Sequence, residues 1–204
     1  MSENTVIVIP GDAPEQIADS PTLARLKAYG EVRIHRTAPA SPEEKIERVK
    51  DAHVILNSRG SVTWREADFV QLPRLKLIAT CSVGTDSIDL QAARTRGIVV
   101  SNQPGVNAKF VAEHMFGLMF AVAKNAASQT ALLRQGLWQP TPNVMLQGKR
   151  IGIVGTGAIG AEMARLARAI GMDVVAWSFN PNPRRAAALG VRFVSLEELL
   201  ESAD

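Results

Sequence analysis

The sequence predicts an α/β protein whose parallel strands are covered by helices on both faces. Along most of its 204 residues, short β-branched runs alternate with segments of helix length. Strands that alternate with helices pair in parallel through right-handed crossovers, so this order indicates doubly wound sheets. A long apolar helix follows residue 105, and the proline-rich segment 139–143 comes after it before the alternation restarts. We therefore expect two α/β units, at 1–105 and 106–204.

The first unit is predicted to contain five strands joined by helices. Ser41 is placed to cap a helix, Pro42 to occupy its first position and Glu44 to complete a capping box. Thr63 and Glu66 repeat this spacing at the start of the next helix. The predicted strands are 6–9, 32–35, 54–56, 75–79 and 98–100, with a further helix at 22–29.

The second unit is predicted to open with one helix from Ala108 to Arg134. This helix has more apolar surface than one core face requires, so we expect it to pack against a second copy in a homodimer. Ser195 and Glu198 have the spacing of a capping box for the last helix. The other predicted elements are strands 150–154 and 173–177 and a helix at 158–170. The apolar side chains that offer surface around much of the helix at 108–134 are Phe110, Phe116, Leu118, Met119, Phe120 and Val122.

Composition and charge exclude several classes of protein. The net charge is +3 and the 23 basic residues are scattered, so we expect no basic face for a nucleic acid. The most apolar stretch, 115–123, is much shorter than the about 20 residues of a membrane-spanning helix. The single cysteine, Cys81, and the polar start at 1–5 fit a cytoplasmic protein without a disulfide or a signal peptide. The histidines share no ligand spacing, so no metal site is expected.

Three glycines mark a loop between a strand and a helix. The segment Gly155-Thr156-Gly157-Ala158-Ile159-Gly160 follows strand 150–154 directly and opens the helix at 158–170. At this spacing the first glycine makes a tight turn, the second lets the backbone approach a pyrophosphate, and the third lets the helix pack closely on the strand. The N–H groups at the start of the helix then face the anion, which the helix dipole also favours. The loop therefore predicts a dinucleotide cofactor.

The strand after this loop lacks the acidic residue that usually binds the ribose of NAD. Ser178 stands in its place, Asn180 follows, and no carboxylate occurs over 174–196. Without a carboxylate to repel it, a 2′-phosphate could be held by Arg184 or Arg185, so the cofactor could be NAD or NADP. The alternative is that both arginines only form the solvated start of a helix.

Four segments in a fixed order carry a more specific signal. They are 79–90 (ATCSVGTDSIDL), 96–105 (RGIVVSNQPG), 111–114 (VAEH) and the glycine loop. Together they resemble the D-isomer-specific 2-hydroxyacid dehydrogenases, the family of phosphoglycerate dehydrogenase, over nearly the whole chain from Val54 onward. The resemblance implies a flavodoxin-like substrate domain followed by a partial Rossmann NAD(P)-binding domain. It also implies pairing through the helix at 108–134, the element that relatives use.

The resemblance further implies an activity and a substrate site. Members of this family interconvert a 2-oxo acid and a D-2-hydroxy acid with NAD or NADP. Val83 and Gly84 match the loop whose backbone N–H groups hold the substrate carboxylate, and a glycine keeps side-chain bulk away from those donors. Arg59 would form the opposite wall of the site, unless it is an ordinary exposed arginine.

The family's catalytic arginine, glutamate and histidine are expected beyond Asp204. The resemblance therefore implies no catalytic residue among these 204 residues and no useful hydride transfer by this chain alone. The alternative is a non-catalytic dinucleotide-binding protein or a truncated gene product.

Overall fold

The chain divides into two compact units, each of the α/β type. A computed structural model describes residues 5–204. The first unit ends at Pro104 and the second begins at Gly105. Within residues 5–204, no helix is both long enough and apolar enough to cross a membrane.

The first unit holds one parallel sheet of five short strands. They are β1 (Val6–Ile9), β2 (Glu31–Ile34), β3 (Val54–Asn57), β4 (Leu77–Thr80) and β5 (Val99–Ser101). Their order across the sheet is β2-β1-β3-β4-β5, and every adjacent pair is parallel. This is the strand order of flavodoxin-like folds, so the predicted fold class of this unit is confirmed.

Short helices join these strands and cover the core. Val8, Ile55 and Ile78 point from neighbouring strands to one face of the sheet, where they are fully buried. Trp64 and Phe69 pack against them in the same apolar cluster. The helices are α1 (Leu23–Lys27), α2 (Pro42–Val49), α3 (Glu66–Phe69) and α4 (Leu90–Thr95), of which the last was not predicted.

The predicted helix caps of this unit are right in part. Ser41 caps α2 by accepting the N–H of Glu44 at 3.2 Å. The Glu44 carboxylate, however, accepts the N–H of Ala40 and not that of Ser41. The capping box expected at Thr63 and Glu66 is wrong. Helix α3 begins two residues later than that pair requires, with Arg65 as its capping residue, and the N–H of Arg65 donates to the carboxylate of Asp68 at 2.8 Å.

The second unit holds a three-stranded parallel sheet with the order β6-β7-β8. Its strands are β6 (Arg150–Val154), β7 (Asp173–Trp177) and β8 (Arg192–Phe193), and the first two have the predicted bounds. Its helices are α5 (Ala108–Ala123), α6 (Ala126–Arg134), α7 (Ala158–Ala169), α8 (Pro183–Leu189) and α9 (Leu196–Ser202). The sequence indicates a helix at the position of α8 only as one alternative, and it does not predict β8. Ser195 caps α9 as expected, accepting the N–H of Glu198 at 3.0 Å.

The single helix predicted over 108–134 is wrong. Asn125 adopts a left-handed conformation with φ 53°, which an α-helix cannot continue through, so α5 ends and α6 begins on either side of it. Its side-chain amide donates to the carbonyl of Pro142 at 2.8 Å. The Lys124 ammonium donates to the carbonyl of Val144 at 2.7 Å. The break is therefore held by the proline-rich segment that follows.

Helix α5 buries one stripe of its surface within the second unit. Ala108, Ala112 and Phe116, spaced four residues apart, are buried. Phe116 belongs to a cluster with Met163 and Ala164 of α7. Of the apolar side chains noted on this helix, Phe116 therefore belongs to the core of its own unit, and Met119 packs against the same cluster.

Asp12 follows β1 at the carboxyl end of the first sheet and is fully buried. Its carboxylate accepts the N–H groups of Gln16, Ile17 and Ala18 at 2.8 to 3.1 Å. Burial alone would raise the pKa of this carboxyl, but hydrogen bonds from those three N–H groups and from the Ser58 side chain hold the pKa below its usual value of 3.8. The ionised carboxylate therefore stabilises the loops that follow β1 and β3.

Replacement of this carboxylate should destabilise the first unit. We expect Asp12→Asn to lower the free energy of unfolding by about 1–3 kcal/mol at pH 7. The side-chain NH₂ group would replace one acceptor oxygen and face backbone N–H groups that then lose their acceptor. The lowered folded-state pKa means that the stabilisation is complete above the ordinary pKa of 3.8 and is lost as the pH falls through the folded-state pKa. Urea titrations at several pH values measure both effects. Asp19→Asn, at an exposed carboxylate, is the control, and equal stability of Asp12→Asn and wild type at pH 7 would contradict the assignment.

Candidate functional site

The glycine loop connects β6 to α7 at the carboxyl end of the second sheet. Gly155 has φ 91°, a left-handed conformation that favours glycine. Its N–H donates to the carbonyl of Trp177 at 2.8 Å, which ties the loop to the end of β7. At Gly160, a Cβ would lie 2.1 Å from the carbonyl oxygen of Gly155. The fold therefore requires glycine at both ends of the loop.

Gly157 differs from the other two glycines because the fold does not require it. Its φ of −63° and ψ of −165° are open to any residue. A Cβ built at this position meets no atom within 4 Å. A side chain here would project into open space in front of the loop, where the sequence motif expects a pyrophosphate. The loop thus fits a dinucleotide, which needs that space to stay free of side chains.

The start of α7 presents unpaired backbone donors to the same space. Gly157 is the capping residue, and no side chain caps the helix. The first helical hydrogen bond is donated by Ala161 to the carbonyl of Gly157. In the described part of the chain, the N–H groups of Ala158, Ile159 and Gly160 have no acceptor. These donors and the helix dipole together favour an anion.

The predicted ribose-binding residues lie beside this loop. Trp177 pairs with Val154 in the sheet, so Ser178 follows β7 at the edge where Gly155 follows β6. Asn180 lies two residues further and is exposed.

The two arginines after β7 have different surroundings. The Asn182 side chain caps α8 by accepting the N–H groups of Arg184 and Arg185 at 2.9 and 3.2 Å. The Arg185 guanidinium donates to the carbonyl of Thr156 in the glycine loop. The Arg184 guanidinium has no hydrogen bond or ion pair to any residue of 5–204. Both arginines therefore lie in the first turn of a helix, and of the two only Arg185 has a side-chain partner among residues 5–204.

In the loop after β4 of the first unit, the carbonyl groups of residues 82–84 are anchored, while two N–H groups have no acceptor among the described residues. The carbonyl of Ser82 accepts the N–H of Gln103 at 3.0 Å. The carbonyl of Val83 accepts a hydrogen bond from the Asn102 side-chain amide at 2.7 Å. The carbonyl of Gly84 accepts one from the Ser82 hydroxyl at 2.8 Å. Within the described chain, the N–H groups of Val83 and Gly84 donate to no protein atom. Such donors suit a small anion.

Arg59 lies at the same edge of the first sheet. Its strand β3 pairs with β4 so that Asn57 lies opposite Thr80, and the N–H of Cys81 donates to the Asn57 carbonyl at 3.2 Å. The loops that carry Arg59 and Gly84 therefore leave neighbouring strands side by side. Arg59 is held left-handed at φ 48°, an uncommon conformation for a residue with a side chain, and its guanidinium has no partner among the described residues.

Two residues of these sites were not predicted from the sequence, and a third, Arg185, makes a contact other than the one considered there. Ser82 and Asn102 fix the loop that holds Val83 and Gly84, and Arg185 bonds to the glycine loop. Ser82 and Asn102 lie within two of the four motif segments, and that position is the sequence signal that could have identified them. Arg185 lies in none of these segments.

The Cys81 thiol and the metal-binding side-chain types of the described residues indicate no nucleophilic or metal site beside these loops. Burial raises the pKa of the Cys81 thiol, and the nearby Asp12 carboxylate raises it further, so the thiol stays protonated at neutral pH. Over residues 5–204, no group of three or more histidine, cysteine or carboxylate side chains could hold a metal ion.

Two curated proteins are similar to most of this chain. Across 182 residues the chain is 34% identical to D-3-phosphoglycerate dehydrogenase of Methanocaldococcus jannaschii, which covers 88% of this chain and 34% of that protein. It is 34% identical over 189 residues to glyoxylate reductase of Korarchaeum cryptofilum, covering 89% and 57%. The chain thus spans about a third to somewhat over half of the length of these relatives.

A solved structure and a family model extend the match. The crystal structure of D-lactate dehydrogenase from Aquifex aeolicus, complexed with NAD and lactic acid, superposes with a TM-score of 0.81 at 27% identity, over 98% of this chain and 59% of that one. The model of the D-isomer specific 2-hydroxyacid dehydrogenase catalytic domain matches residues 12–197. The resemblance seen in the sequence is confirmed, and the chain belongs to the D-isomer-specific 2-hydroxyacid dehydrogenase family.

Proposed function

We propose that this chain carries the cofactor loop and the acid-binding loop of an NAD(P)-dependent D-2-hydroxyacid dehydrogenase. The glycine loop would hold the pyrophosphate of NAD or NADP, and Val83 and Gly84 would hold the carboxylate of a small 2-oxo or 2-hydroxy acid. When bound, the dinucleotide supplies or accepts the hydride. The observation that carries this proposal is the open space at Gly157, because the fold gives no other reason for a glycine there.

Several features of the first unit support the acid site. The free N–H groups of Val83 and Gly84 suit a carboxylate, since their carbonyls are already held by other groups. Arg59 follows β3, the strand next to β4. Its guanidinium, which has no partner among residues 5–204, adds a positive charge at this edge of the sheet. Charge-assisted hydrogen bonds from arginine to a carboxylate are among the stronger polar contacts in proteins.

Reduction of a carbonyl also needs a proton donor within hydrogen-bond reach of the oxygen. His53 is buried at the amino end of β3, opposite to the loops, where its ring accepts the N–H of Val6. His35 follows β2. This strand lies three inter-strand spacings, or about 14 Å, from β4, the strand that the acid-binding loop follows. We therefore assign the loops of the first unit to ligand binding and assign the role of proton donor to neither of these two histidines.

The proposed cofactor loop can be tested at Gly157 without loss of the fold. We expect Gly157→Val to abolish NADH and NADPH binding in calorimetry, because its side chain fills the space of the pyrophosphate. Its melting temperature should stay close to that of the wild type, since the added atoms meet open space. Gly117→Ala, which adds a methyl group in open space on α5, is the control and should bind normally. Unchanged affinity in a folded Gly157→Val protein would refute the assignment.

We also propose a homodimer that packs through the exposed side of α5. Outside its buried stripe, the helix exposes several large apolar side chains, with Phe110 at 74% and Val122 at 79% of full exposure. A helix that is apolar on nearly all sides is usually covered on all sides. The others are Met115, Leu118 and Phe120.

The pairing can be tested by introducing carboxylates into the exposed apolar surface of this helix. We expect the mass of two chains for the wild type in light scattering, and of one chain for the double variant Phe110→Asp/Val122→Asp, because a buried carboxylate without a partner is strongly disfavoured. Lys109→Glu, on the same helix but without loss of apolar surface, should remain dimeric. A monomeric wild type at every concentration would contradict the proposal.

A further inference from the structure

Arg185 connects the start of α8 to the glycine loop. Its guanidinium donates to the backbone carbonyl of Thr156, 29 residues earlier in the chain. Thr156 is buried, so its carbonyl gains little from solvent and depends on this donor. A hydrogen bond from a charged donor is stronger than one between neutral groups. The loop is therefore anchored at the peptide that precedes Gly157.

This anchor fixes the direction of one N–H group that faces the proposed pyrophosphate. The carbonyl of Thr156 and the N–H of Gly157 belong to the same peptide unit. In a planar trans peptide these two groups point in opposite directions. With the carbonyl held towards Arg185, the Gly157 N–H is turned away from α8. The nearby positive charge also polarises the peptide, which makes its N–H a better donor.

Arg184 is left out of this arrangement. Asn182 accepts the N–H groups of both arginines and so fixes the backbone from which each side chain leaves. Consecutive residues of a helix point about 100° apart, so the two guanidinium groups take different directions. Within residues 5–204, the Arg184 guanidinium makes no hydrogen bond or ion pair. It is free to contact a ligand.

We propose that Arg185 is a positioning residue for the pyrophosphate loop, while Arg184 alone contacts the 2′-phosphate of NADP. The inference rests on the proposed dinucleotide binding and adds a division of labour between neighbouring residues. Because every nicotinamide dinucleotide has the pyrophosphate, Arg185 affects NADH and NADPH alike. Because only NADPH has the 2′-phosphate, Arg184 affects that cofactor alone.

Calorimetry with both reduced cofactors separates the two roles. The wild type should bind NADH and NADPH within about tenfold of each other. In Arg185→Ala, the Kd of both cofactors should rise by about tenfold, the size of one charge-assisted hydrogen bond, with their ratio unchanged. In Arg184→Ala, only the Kd of NADPH should rise by a similar factor. An unchanged NADH affinity in Arg185→Ala, or a loss confined to NADPH, would overturn the inference.

Two further readouts distinguish positioning from direct attraction between charges. A direct ion pair with the pyrophosphate would be screened by salt, so the loss of NADH affinity in Arg185→Ala would shrink between low and high ionic strength. If Arg185 acts by positioning the loop, the Kd of NADH rises by the same factor in Arg185→Ala at low and at high ionic strength. Positioning also predicts that the Gly157 amide resonance moves in Arg185→Ala, and moves back partly in Arg185→Lys, when no cofactor is present.

The cofactor-free measurement keeps the inference separate from the proposed function. If the wild type bound neither dinucleotide, the proposed function would fail, but the Gly157 resonance would still decide the role of Arg185. A resonance that stays in place in Arg185→Ala would overturn the inference. A resonance that moves would support it.

Discussion

The close approach of α7 to β6 is the constraint on which the second unit depends. A Cβ at Gly160 would lie 2.1 Å from the carbonyl oxygen of Gly155, so the helix can reach this strand only without a side chain there. The approach brings the free N–H groups of Ala158 and Ile159 to the carboxyl edge of the sheet. It also leaves Gly157 facing open space. A packing requirement and a binding site thus come from the same short segment.

The first unit uses backbone donors in a similar way. In its loop after β4, side chains and a backbone N–H bind the carbonyls of Ser82, Val83 and Gly84, and the N–H groups of the last two stay free. In both units the loops follow neighbouring parallel strands, where crevices for ligands occur in open α/β sheets. Backbone donors recognise negative charge more than they recognise a particular side group, which suits a pyrophosphate and a small carboxylate.

The sequence predicts the local features of this structure and misses those that depend on distant contacts. The bounds of β6 and β7, the glycine loop and the cap at Ser41 follow from nearby residues and their spacing. The break at Asn125 does not, because the left-handed turn is held by Pro142, which is 17 residues away. The short β8 forms only by pairing with β7. The bond between Arg185 and Thr156 spans 29 residues and leaves no pattern in the sequence.

The central claim is that the backbone of the glycine loop binds the pyrophosphate of a nicotinamide dinucleotide. Its most direct test is a titration of the ¹⁵N-labelled chain with NADH, followed by amide resonances. The account predicts that the resonances of Gly157, Ala158, Ile159 and Gly160 shift together and saturate with one Kd, while those of α6 stay in place. Binding that leaves these four resonances unmoved, or no binding at all, would contradict it.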